Sequence, residues 1–136
     1  TVEHKAPHCR SDQLYKSALT NQGHGVFQGK IHVHRAAQDT DAYQLSNAQL
    51  LSDKARMDTK PELEIYADNV RCSHGATSGQ MDENPLFYLR SRGIPEDEAR
   101  RLVIQAFLGE ALETISSKAF KETIQSKIET WLRSHI

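Results

Sequence analysis

Residues 63–94 read LEIYADNVRCSHGATSGQMDENPLFYLRSRGI, and the periodicity changes inside this stretch. Leu63, Ile65 and Ala67 alternate with Glu64, Tyr66 and Asp68, the period-two pattern of a strand with one buried face. Beyond residue 80 the chain turns to helix formers, with Pro85 and Gly93 placed as a helix start and a left-handed stop. Between the two patterns lie Cys72 and His74. If Val70 faces the core, alternation puts Cys72 and His74 on the same side of an extended segment, away from bulk water. A thiolate and an imidazole suit iron or zinc. Spacing alone more often describes a small buried cysteine with a histidine hydrogen-bonded nearby, and two donors do not complete a metal centre.

Upstream of this stretch the chain reads as β. Phe27, Gly29, Ile31 and Val33 alternate with Gln28, Lys30, His32 and His34, and further strands are expected at 14–19 and 40–45. Asn21-Gln22-Gly23, Gln38-Asp39 and Ser46-Asn47 are the turn-forming separators. Downstream, three helices are expected. The first opens at Pro85. Pro95 starts the second, with Glu96, Asp97 and Glu98 at its positive dipole end and an apolar stripe of Ala99, Leu102, Val103, Ala106, Phe107, Leu112 and Ile115. The third carries Phe120, Ile124, Ile128, Trp131 and Leu132 and folds back on the second through residues 116–118. Domains of 1–80 and 81–136 follow. Phe27, Ile31, Val33, Leu63 and Ile65 are expected to be buried in the first, and Leu102, Phe107, Ile124 and Trp131 in the second.

A chain of 136 residues with 17 Lys and Arg against 18 Asp and Glu forms one domain or two small ones without a strong field. Neither nucleic acid nor membrane binding is expected, and a cytoplasmic location is. Beginning at Thr1, in strand-like sequence, the chain reads as a piece of a longer protein. The two cysteines, Cys9 and Cys72, form no CxxC pair, so neither a disulfide framework nor a four-ligand zinc site is expected. His32 and His34 read as a solvated strand face. His4, His8 and Cys9 have no spacing that fixes a metal geometry. The Gly75-Ala76-Thr77-Ser78-Gly79 run lacks the lysine of a phosphate-binding loop. Asp68, Asp82 and Glu83 suit caps and turns, and no serine sits in a nucleophile-elbow context.

The runs Ala67 to Thr77, Leu86-Phe87-Tyr88-Leu89 and Arg92-Gly93-Ile94 closely resemble the C-terminal signature of the SufD type in the SufB/SufD family of iron–sulfur cluster assembly proteins. The resemblance is strong from Lys60 to Ala99, recognisable at Val26 to Ile31 and Ala37 to Gln44, and weak over residues 1–20. The SufB type typically has His-Glu-Ala-Thr where this chain has His74-Gly75-Ala76-Thr77. The resemblance implies a right-handed parallel β-helix followed by a small helical domain. It also implies a non-catalytic scaffold that pairs with a SufB-type subunit and docks a SufC-type ATPase. Cys72 and His74 would then serve cluster assembly and contribute metal ligands, with the remaining ligands coming from the partner. Pro85, Leu86, Phe87, Tyr88 and Arg92 would belong to the partner-binding region. No tightly bound cofactor is expected, only a transient iron–sulfur cluster in the full complex. A homodimer through the β part is expected for the isolated chain. The rival readings are a β-helix enzyme acting on a polysaccharide or small molecule and an autonomous metal-binding module.

Overall fold

The computed structural model describes residues 1–136. Six strands come first: β1 (Val2–His4), β2 (Arg10–Leu19), β3 (His24–Val33), β4 (Thr40–Leu50), β5 (Arg56–Ile65) and β6 (Val70–Gln80). Three helices follow: α1 (Glu83–Ser91), α2 (Glu96–Gly109) and α3 (Lys118–His135), with a 3₁₀ turn at Glu110–Leu112. The contacts divide into two units, Thr1–Gly79 and Gln80–Ile136.

In the first unit the odd strands form one sheet, ordered β1-β3-β5, and the even strands a second, ordered β2-β4-β6. All six strands run parallel. Each strand therefore meets its parallel neighbour only after the chain has crossed to the other sheet and returned, as parallel pairing requires. Val2 pairs with Ile31, 29 positions on; Arg10 with Asp41, 31 on; His24 with Arg56, 32 on. Crossings turn sharply where His8, Asn21 and Asp39 take positive φ (57°, 56° and 57°). Asn and Asp tolerate that conformation better than most side chains.

Core packing joins the two sheets. Ile31 and Val33 of β3, Ala42 of β4 and Ala37 are fully buried, Ala67 is buried beside them, and Leu63, Val70 and Cys72 pack against them. Lys30 and His32 stay on the opposite face of β3, only partly covered. The expected register of β3 is the observed one. Phe27 and Leu63 are half-buried. Ile65, expected inside, is 40% exposed. It ends β5, the last strand of its sheet, so no further strand covers that side. Two strands also run longer than their apolar pattern: β2 begins at Arg10 and β4 continues to Leu50.

In the second unit α1 starts two residues before Pro85. Asp82 caps it by accepting from the Asn84 N–H at 2.9 Å, which leaves Pro85 in the first turn, where backbone N–H groups have no helical partner. Gly93 follows the helix at φ 86°, the left-handed stop that glycine adopts without strain. Pro95 caps α2 and its three acidic residues fill the first turn. The buried face of α2 is rotated from the expected stripe: Ala99 and Ile104 are fully buried, whereas Leu102 is 41% exposed and Ala106 is exposed. The reason is that α2 packs against both α1 and α3, so two neighbours choose its covered face. Ser117 caps α3 through the Phe120 N–H. That helix buries Leu132, while Ile124 and Trp131 are half-covered and Phe120 is exposed. No helix is long and apolar enough to cross a membrane.

Candidate functional site

Strand β6 positions Cys72 and His74, and contacts with β4 fix which way each faces. A side chain built at Gly75 would meet Leu45 Cδ1 at 3.0 Å, and Leu45 is 42% exposed. Asn47 Nδ2 donates to Thr77 Oγ1 at 2.7 Å. Gly75 and Thr77 therefore share the outer face with Leu45 and Asn47. Alternation puts Cys72, His74 and Ala76 on the inner face. Cys72 packs there against the core cluster with Val70. His74 shares that side but is exposed, which corrects the expectation that both donors sit away from water. The physical reason is the one that exposes Ile65: β6 is the last strand of its sheet.

The two donors thus have different surroundings. Burial pushes the Cys72 thiol above its usual pKa, the backbone of Ala42 opposes that shift by a hydrogen bond, and the Asp41 carboxylate adds to it. The thiol is therefore protonated at neutral pH, and metal or sulfur chemistry at Cys72 must first remove a proton. No three His, Cys, Asp or Glu side chains converge as a metal centre. Cys72 and His74 offer two donors from one strand.

The other histidines have partners of their own. His4 is buried with Nε2 2.9 Å from Ser11 Oγ. His8 lies 3.5 Å from Asp39, and the Cys9 thiol donates to the Pro7 carbonyl at 3.8 Å, so His4, His8 and Cys9 do not form one cluster. The His32 and His34 rings lie against each other, tilted by 35° with centroids 4.2 Å apart. Glu64 lies between the Lys30 ammonium at 2.5 Å and His32 Nδ1 at 3.0 Å, and Glu3 between Lys5 at 2.7 Å and His34 at 3.6 Å. These contacts, led by the lysine hydrogen bond in each case, hold both carboxyls below their ordinary pKa. Their charge is already matched by ammonium groups.

The glycine-flanked run 75–79 is strand, not a loop that could cradle phosphate. Asp82 is a helix cap and Glu83 lies in the first turn. On α1, Phe87 is 75% exposed and Tyr88 55% exposed, with the Arg92 guanidinium 4.6 Å over the Tyr88 ring. Pro85 is exposed too, but Leu86 is buried at 3% and offers no surface. Helical spacing points Leu86 opposite to its neighbours, which a contiguous signature cannot convey. Sequence reading also missed Asp41, whose charge acts on Cys72, and the pair Gln38 and Asn69, which tie successive crossings through the Asn69 N–H to Gln38 Oε1 bond of 3.1 Å. Their only signal is the turn chemistry of Asn and Asp.

The first unit is thus a fold of parallel strands alternating between two sheets, with a thiol and an imidazole on its last strand. The family model described as the SUF system FeS cluster assembly, SufBD core domain, matches residues 1–107. The iron–sulfur cluster assembly protein SufD of Escherichia coli K12 is 42% identical over 127 residues, 93% of this chain and 30% of its own length. An iron–sulfur cluster assembly SufBD family protein of Synechocystis is 50% identical over 115 residues, 85% of this chain and 25% of its own. A SufBD family protein of Mycobacterium bovis is 38% identical over 136 residues, 94% of this chain and 34% of its own. The chain belongs to the SufBD family of iron–sulfur cluster assembly proteins and is of the SufD type. It spans about a third or less of the length of these relatives.

Proposed function

We propose that this chain is part of a non-catalytic cytoplasmic scaffold subunit that pairs with a SufB-type subunit and docks a SufC-type ATPase. The observation that carries the reading is the placement of Cys72 and His74 on one side of the last strand of a sheet, one half-buried and one exposed. One half-buried and one exposed donor on the last strand of a sheet suit a site completed from another chain. An iron–sulfur cluster would be cargo there, held briefly between subunits. Strand alternation between sheets supports a parallel β-helix, and a right-handed one, because parallel crossovers take that hand almost without exception. The long edge of β6 favours pairing with a second chain, in a homodimer when the subunit is alone. Phe87 and Tyr88 on α1, with Arg92 just beyond its end, give an aromatic and cationic surface for the ATPase. ATP-driven motion of the ATPase, transmitted through the helices following Pro85, would open the interface around Cys72 and His74.

Anaerobic reconstitution of the full complex with iron and sulfide tests the site. His74→Ala lowers cluster yield strongly while complex formation is unchanged, and Cys72→Ala has a similar or smaller effect. Equal yields from wild type and His74→Ala, at matched complex formation, would overturn the assignment.

A further inference from the structure

The space between the sheets is not wholly apolar. On the inner face of β4, Gln44 and Ser46 are 3% and 1% exposed, and Gln13 of β2 stands in register with Gln44. Gln44 Nε2 donates to Gln13 Oε1 at 3.3 Å. That bond serves only half of each amide. Gln13 Nε2, Gln44 Oε1 and Ser46 Oγ remain buried without a hydrogen-bond partner. Turning both amides over exchanges the two halves and still leaves one NH₂, one carbonyl and the hydroxyl unsatisfied.

Buried groups of this kind almost always have a partner, and here three lie together. The amide NH₂ disfavours a cation and the amide carbonyl disfavours an anion. Any occupant must be neutral, small, and both donor and acceptor. Of the neighbouring inner positions, Ser11, Ser17, Ala42 and Ala48 are too short to reach across, and Tyr15, in register with Ser46, already donates its hydroxyl to Gln13 Oε1 at 3.2 Å. Gly29 opposite is already filled by the Gln44 amide, since a Cβ there would overlap it. Water is neutral, small, and both donor and acceptor, and a buried water makes about three hydrogen bonds.

We propose that Gln13, Gln44 and Ser46 form an internal hydration site that holds long-lived water and extends to His74. The link to His74 follows from pairing. Leu45 beside Gly75 and Asn47 beside Thr77 put Gln44 alongside His74 on the inner face. Bound water there gives one imidazole nitrogen a hydrogen-bond partner on the protein side and leaves the other toward solvent, which fixes the tautomer. The consequence for cluster chemistry rests on the role proposed for His74, so cluster yield is not the readout.

A crystal structure of the full-length protein, at a resolution that shows water, is expected to show density within hydrogen-bond distance of Ser46 Oγ and the Gln44 amide. Magnetic relaxation dispersion is expected to detect fewer long-lived waters in the Gln44→Met/Ser46→Ala double variant than in wild type. Nitrogen shifts of the His74 imidazole are expected to move toward a tautomer mixture in Gln44→Met. A dry wild-type interior, with both amides and Ser46 satisfied by protein atoms, would overturn the site whether or not the variants fold. Loss of water with no change at the imidazole would overturn the link to His74.

Discussion

Ile31→Ala tests the inner register at the point where most depends on it. Ile31 is fully buried on β3, with Val2 of β1 and Leu63 of β5 paired on either side. The substitution removes three carbons, and at about 0.8 kcal/mol per buried methylene the transfer loss is ~2.4 kcal/mol. Hydrogen-bonded strands on both flanks limit collapse into the gap, so a residual cavity adds about 1 kcal/mol more. The expected loss, roughly 3 to 4 kcal/mol, is a large share of the ~5 to 15 kcal/mol that holds a typical domain folded. Val26→Ala, on the same strand but at a 63% exposed position, is the control, with an expected cost of about 0.5 kcal/mol. Because the chain has two units, unfolding should be followed by native-state amide exchange of residues 24–33 rather than by one global signal. A loss at Ile31 no greater than that at Val26 would refute the assignment of inner and outer faces.

Two further expectations concern pH. For Glu64 the folded pKa is lowered, first by the Lys30 hydrogen bond, so its contribution is present above the unfolded value and vanishes as pH falls through the folded one. Stability of wild type and Glu64→Gln should differ at neutral pH and converge in acid; a gap that persists to the lowest pH would contradict the pairing. For Cys72 the folded pKa is raised by burial, so the effect runs the other way: stability is fully present below the unfolded value and is lost as pH rises through the folded one. Alkylation of Cys72 in the folded protein should therefore inflect above the ordinary thiol pKa of about 8.5 and return to it in denaturant. An inflection at or below that value in the native protein would show an unburied thiol.

How much could be read in advance depended on what each inner face carries. From Phe27 to Val33 apolar residues fall inside, and the strand and its register were legible. In β2 the inner positions include Ser11 and Gln13, and in β4 Gln44 and Ser46, so period-two patterning fades there and the strands outrun their apolar segments. Helix ends were legible at Gly93 and Pro95, whose backbone chemistry is local, but Asp82 moved the start of α1 because a side-chain cap outweighs the preference of Pro85 for the first position. The covered face of α2 was not legible, since it depends on two neighbouring helices. At the site, the common side of Cys72 and His74 follows from alternation. The exposure of His74 does not, because it depends on β6 having no further strand beside it.

Pairing partners lie 29, 31 and 32 residues apart, although the strands they join are in strict register. The differences are taken up where the chain passes between sheets, at segments such as Asn21-Gln22 and Ser52 to Ala55. Insertions and deletions in a lineage of such proteins therefore have permitted addresses. A residue gained at a crossing leaves every downstream side chain on its own face, whereas one gained inside β3 or β4 inverts the remainder of that strand. Length drift among descendants should collect at the crossings, and the strands should diverge by substitution alone.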